Sequence, residues 1–173
     1  MHQIAIISVH GCPIARLGET DTGGMNVYVR HLARCLGDRG TRVDVFTRRH
    51  DPTDPQVVEL GANVRLIHID AGPLDEPKYD IFPHLPIFIE KLEAFRRSEG
   101  IEYDLLHTHY WLSGYVGTRL SHLWKVPHVV SFHTLAYLKR LAHAGERESI
   151  LRVETERSVV RDADQVIASS QHE

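Results

Sequence analysis

The sequence predicts an α/β fold: a doubly wound, mainly parallel sheet with helices on both faces. Three observations carry this. Short apolar runs alternate with helical patterns almost throughout the chain. The first run, Ile4-Ala5-Ile6-Ile7-Ser8-Val9, is apolar on both faces, as suits a central strand of a parallel sheet. The residues able to do chemistry fall just after strands, where such sheets hold their ligands.

The elements follow in order. After the first strand comes a loop from His10 to Thr22, then a helix from about Gly24. Met25, Val29, Leu32 and Leu36 share one face of it, and Gly40 in Asp38-Arg39-Gly40 closes it. Arg42 to Thr47 reads as the second strand and completes a right-handed βαβ unit. A polar stretch, Arg48 to Pro55, precedes a short candidate strand at Val57–Leu60 and a clearer one at Asn63–Ile69. Gly72, Pro73, Pro77 and Pro83 mark a long loop from Asp70 to Pro83, and long loops in compact domains are often functional. Leu85, Phe88, Ile89, Leu92 and Phe95 form the face of the next helix, with Gly100 past its end. Tyr103–His107 is a strand whose continuation, Thr108 to Trp111, leads into a helix through Gly117, Leu120 and Leu123. Pro127–Phe132 is another strand, ending in His133-Thr134. A variable region, Leu135 to Glu146, leads to a helix from about Arg147 to Arg161 and a last strand, Gln165–Ser169.

The chain has 173 residues, about one domain's worth and enough to bury a core. A net charge of −3 gives no reason to expect nucleic acid or an anionic membrane as partner. No apolar run approaches the roughly 20 residues that span a bilayer, and no signal peptide is visible. Cys12 and Cys35 lack metal-type spacing, so a cytoplasmic protein with reduced thiols is the expectation.

Gly23-Gly24 sits where the first strand's loop becomes a helix N-terminus. Such a terminus presents unpaired N–H groups and partial positive charge, and glycine lets a phosphate approach closely. Taken alone, the pair makes either a tight turn or a phosphate site. It is neither G-x-G-x-x-G nor G-x-x-x-x-G-K-[ST], which disfavours a dinucleotide-dependent oxidoreductase. His107 and His109 share a strand face without a third ligand in view, so a structural or substrate-contacting role is expected rather than metal binding. His133 ends an apolar strand and suits either a hydrogen-bonded core histidine or a functional one. Lys78 and Arg152 are, taken alone, solvated charges. If they converged with Tyr110 and Thr134 they would make a phosphate site through charge-assisted hydrogen bonds.

Several segments match a known pattern. These are Ser8-Val9-His10-Gly11-Cys12-Pro13, Gly23-Gly24-Met25-Asn26-Val27-Tyr28-Val29, Val45-Phe46-Thr47-Arg48, Ala71-Gly72-Pro73, Lys78-Tyr79, His107-Thr108-His109-Tyr110-Trp111-Leu112-Ser113-Gly114 and Phe132-His133-Thr134-Leu135. Together they resemble the N-terminal, acceptor-side half of retaining GT-B glycosyltransferases of family 4. The resemblance covers essentially the whole chain, 1–173, as one Rossmann-like domain. It implies that Gly23 and Gly24 contact the donor diphosphate and that Asn26 lies near the acceptor. Lys78, Tyr110, Thr134 and Arg152 would hold the acceptor's phosphate, and His133 would be the catalytic histidine beside the transferred sugar. The donor would be a UDP-, GDP- or ADP-sugar, with no metal required for the chemistry. Inositol phosphate is the first expected acceptor, and fructose 6-phosphate the alternative. The resemblance admits a homodimer. It also implies a C-terminal nucleotide-sugar domain, absent from this sequence, so the chain alone is expected to fold but not to turn over. A non-catalytic flavodoxin-like binding module is the competing class; it predicts no phosphate pocket near Lys78, Tyr110 and Thr134.

Overall fold

The computed structural model describes residues 2–15, 23–142 and 148–171. Seven strands form one sheet: β1 Gln3–Ile7, β2 Arg42–Arg48, β3 Val57–Gly61, β4 Val64–Ile69, β5 Leu105–His109, β6 His128–Ser131 and β7 Gln165–Val166. Five α-helices connect them: α1 Gly24–Gly37, α2 Leu85–Ser98, α3 Tyr110–Trp124, α4 Ala136–Ala142 and α5 Ile150–Asp162. The order across the sheet is β3-β4-β2-β1-β5-β6-β7. Every pairing is parallel except β3 with β4, whose antiparallel register shifts between Glu59 and Gly61. The expected doubly wound sheet is therefore present, with one antiparallel strand at its edge.

Alternation along β1 explains the two layers. Ala5 and Ile7 join one core with Phe46, Ile67, Phe88, Leu92, Leu106 and Trp111. Ile6 joins the other with Val29, Ala33, Val43, Val45 and Leu66. α1 covers the second face and α2 and α3 the first, so β1 is buried on both sides. The chain leaves β1 for β2 on one side and reaches β5 on the other. This is the topological switch point, where a crevice opens beyond the strands' C-terminal ends.

Several boundaries differ from expectation, each for a local reason. β1 ends at Ile7 because the β5 side is lost there, where the Val9 N–H turns to Ser113 Oγ. Toward β2 the backbone still pairs, the Ser8 N–H donating to the Phe46 carbonyl and the Arg48 N–H to the Val9 carbonyl. α1 stops at Gly37, not at Gly40. A Cβ on Gly37 would meet the Ala62 carbonyl oxygen at 2.3 Å, so the helix end butts against the start of β4. Gly40, at φ +85°, turns the chain into β2. β5 runs two residues further than expected, to His109, held through the His109–Ser131 pairing with β6. β7 is only two residues long, because its partner β6 ends at Ser131 and turns away. α4 lies inside the region expected to be variable. Arg147, the expected start of the last helix, lies outside the described residues; α5 starts at Ile150 behind Ser149, whose side chain accepts from the Arg152 N–H. Residues 16–22 of the first loop also lie outside the described residues.

Candidate functional site

Beyond the C-terminal ends of β1 and β5 lies a cleft of about 480 Å³, lined by His10, Gly23, Gly24, Met25, Asn26, Lys78, Tyr110, His133, Thr134 and Lys139. Seven of the eight residues singled out from sequence stand on its wall; the eighth, Arg152, stands behind it.

One wall is the N-terminus of α1. The 14-residue helix directs its positive end at the cleft, worth roughly half a unit charge. A Cβ built on Gly23 or Gly24 would meet nothing within 4 Å. Among the described residues, nothing presses on these glycines. Asn26 lies deeper and buried, its Nδ2 donating to the Cys12 carbonyl at 3.0 Å. It ties the loop after β1 to the helix start.

The opposite wall is built at the ends of β5 and β6. Tyr110 is both the first residue of α3 and a residue with φ +75°; His133 has φ +64°. Non-glycine residues in this region are held there by their surroundings and cluster at functional sites. α3 therefore brings a second helix N-terminus to the cleft. His109 Nδ1 lies 2.9 Å from His133 Nε2, so a shared proton fixes the His133 ring. His107 lies against His109, ring centroids 4.3 Å apart, and its Nε2 is 3.0 Å from Ser131 Oγ. Burial, helped by the neighbouring imidazoles, pushes His107 down to about 4 and His109 well below the ordinary histidine value. The stack is thus neutral at pH 7. A structural or substrate-contacting role is the expectation for His107 and His109; both are buried and neither lines the cleft.

Arg152 is not a solvated charge: it is fully buried. Its Nε and Nη1 donate to Glu156 and Glu148 at 2.7 and 3.0 Å, and its Nη2 donates to the Thr134 carbonyl at 2.8 Å. The guanidinium carbon also sits 4.8 Å from the Tyr110 ring centroid. Arg152 thus shapes Thr134 and Tyr110 from behind, and a sequence reading of helix position could not foresee this. Burial alone would lower its pKa, but Tyr110 and the two glutamates carry it upward. Burial raises the Tyr110 phenol to about 12, so it stays a neutral hydrogen-bonding group.

Lys78 arrives on the loop from Asp70 to Pro83. Arg48 anchors that loop: it is buried, and its guanidinium donates to the carbonyls of Pro73, Leu74 and Glu76. Lys78 packs beside the Tyr79 ring at 5.3 Å. Sequence reasoning missed two contributors. Arg48 closes the matching segment Val45-Phe46-Thr47-Arg48, but nothing in the sequence assigns it a role. Lys139 lies in the region expected to be variable; it lines the cleft and pairs with Glu148 at 3.3 Å. His10, Asn26 and Lys78 also border an adjoining hollow of about 560 Å³, whose further lining includes Asp75 and Glu76. Chemically, the cleft offers two helix N-termini, two lysines and the imidazole of His133: a place for phosphate groups with a polar hollow beside it.

Fold and cleft together define a Rossmann-like domain of the GT-B type. A model of the glycosyl transferase 4-like domain matches residues 23–173, and the chain belongs to that family. It is 42% identical to a D-inositol 3-phosphate glycosyltransferase of Corynebacterium jeikeium, over 99% of this chain and 42% of that protein. A protein of the same name from Kineococcus radiotolerans is 43% identical over 100% of this chain and 41% of its own length. Among solved structures, a sucrose-phosphate synthase from Thermosynechococcus elongatus superposes with a TM-score of 0.91 at 39% identity, over 98% of this chain and 43% of that one. The chain thus spans about two-fifths of the length of these relatives. Among the described residues, no helix is long and apolar enough to cross a membrane.

Proposed function

We propose that this chain is the acceptor-binding half of a retaining glycosyltransferase. It would move a hexosyl group from a nucleotide-diphosphate sugar to a phosphorylated polyol or sugar, with inositol phosphate as the leading acceptor. The observation that supports this most is the convergence on one cleft of Gly23, Gly24, Lys78, Tyr110, His133 and Thr134 with Lys139. In this reading the N-terminus of α1 stabilises charge on the departing diphosphate, an electrostatic role that needs no metal. Lys78, Lys139, Tyr110 and Thr134 hold the acceptor phosphate, with Arg152 positioning the last two. The adjoining hollow, with Asp75, Glu76 and Asn26, receives the acceptor's hydroxyls. His133, oriented by His109, touches the transferred sugar. The donor's base would be held by a second domain, so this chain by itself binds acceptor without turnover.

A second reading takes fructose 6-phosphate as acceptor, favoured by the likeness to the sucrose-phosphate synthase. Calorimetric titration of the chain with inositol phosphate and with fructose 6-phosphate separates the two. Binding of inositol phosphate, weakened at least about tenfold by Lys78→Ala as expected for one lost charge-assisted contact, is the expected result. Preference for fructose 6-phosphate would install the second reading. Binding of neither would remove both.

A further inference from the structure

We propose that Cys12, His50 and His68 form a zinc site beside the cleft, with the Asp54 carboxylate next to its two imidazoles. Three side chains far apart in sequence meet here: Cys12 follows β1, His50 follows β2, and His68 lies in β4. One ligand atom each from Cys12, His50 and His68 falls within 4.8 Å of the others. Cys12 Sγ is 3.6 Å from His68 Nε2. A tetrahedral zinc ion with ordinary Zn–S and Zn–N bonds sets those two atoms roughly 3.6 Å apart. Asp54 Oδ2 is 3.2 Å from His50 Nδ1 and 3.8 Å from His68 Nε2. The carboxylate thus sits beside both imidazoles, where it would favour a cation.

An outer partner supports the assignment. His68 Nδ1 lies 2.7 Å from the Pro55 carbonyl, an acceptor only, so this nitrogen carries the proton. The lone pair is then on Nε2, toward Cys12 and Asp54. Metal-bound histidines are characteristically fixed in this way. Cys12 and His68 are buried, while the His50 side chain is 36% exposed and offers an entry path from the adjoining hollow. One thiolate with two imidazoles selects zinc over magnesium or calcium. Asn26 donates to the Cys12 carbonyl, so an ion here would fix the loop after β1 and, through Asn26, the floor of the cleft. The role is structural and adds no step to sugar transfer.

Cobalt(II) is the probe, because its bond to a thiolate absorbs in the near ultraviolet. Titration of the reduced chain is expected to give that band, saturating at one ion per chain and bleached by zinc. Cys12→Ser abolishes the band and Cys35→Ser leaves it unchanged. His68→Gln weakens binding more than about tenfold, the scale set by loss of even an outer partner. Circular dichroism checks that each variant is folded. If Cys12→Ser does not fold, His50→Gln on the exposed rim replaces it, and it too must weaken binding. Absence of the band, or a band that survives Cys12→Ser and vanishes with Cys35→Ser, overturns the proposal.

Discussion

The two walls of the cleft are built on opposite principles. The glycine wall is lightly built: Gly23 and Gly24 are exposed, and an added Cβ would touch nothing within 4 Å among the described residues. The histidine wall is over-determined: Tyr110 and His133 occupy left-handed backbone, their rings lie against other rings, and Arg152 locks the layer behind them with two glutamates. The difference separates what a site needs for the fold from what it needs for a ligand. Residues of the histidine wall are held by their own chain, so changing them disturbs stability. Residues of the glycine wall answer only to what enters the cleft.

The largest expected effect is on the constrained side. Arg152→Ala leaves Glu156 buried without its cation, and Glu148 with Lys139 as its remaining partner, and is expected to cost about 3–5 kcal/mol. Urea unfolding measures this, and Arg152→Lys should recover part of it. A loss below about 1 kcal/mol would mean that the wall is not locked as described.

Acid sharpens the same contrast. His107, behind the histidine wall, and His128, at the start of β6 with its Nε2 2.8 Å from Thr108 Oγ1, are held near a pKa of about 4, against 6.5 for an ordinary histidine, chiefly by burial. Between those values the unfolded chain binds more protons than the folded one, so stability rises with pH. It is complete above pH 6.5 and lost as pH falls toward about 4, by on the order of 3 kcal/mol per ring. Glu156, raised by burial, opposes this weakly. Urea midpoints across that range should drop with acid, and His107→Gln should flatten the slope. A flat profile in the unsubstituted chain would show that these rings are not kept neutral by the fold.

The smallest effect on the fold belongs to the open wall. Gly24→Ala should shift stability by no more than about 1 kcal/mol, in the stabilising direction, since it adds a helix former and meets no neighbour among the described residues. Affinity for a nucleotide-diphosphate sugar, measured in a protein with both halves of the cleft, should nevertheless fall at least about tenfold. Equal affinity for both forms would strip the glycine wall of its proposed role.

Much of this was legible in the sequence, for reasons that differ by residue. Ile4–Ile7 announces a central strand because both faces are apolar. Gly23-Gly24 announces a loop-to-helix turn because the periodicity begins beside it. What could not be read is what depends on convergence. Arg152 looks like a surface charge because its partners, Thr134 and Tyr110, come from other strand ends. Lys139 carries no signal because α4 is a short helix in an irregular stretch. Cys12 and His68 are 56 residues apart, and only the parallel pairing of β1, β2 and β4 brings their loops and strands together. Backbone strain at Tyr110 and His133 leaves no mark on residue type at all.

The margins of the sheet carry a separate consequence. A sheet with unfinished margins invites another copy to add strands, the usual route to precipitation. Here the β3 margin is broken by the irregular register between Glu59 and Gly61, and the β7 margin offers only Gln165 and Val166. Neither presents a template long and flat enough for a neighbour to extend. The brevity and irregularity of these two margin strands work against edge-to-edge growth.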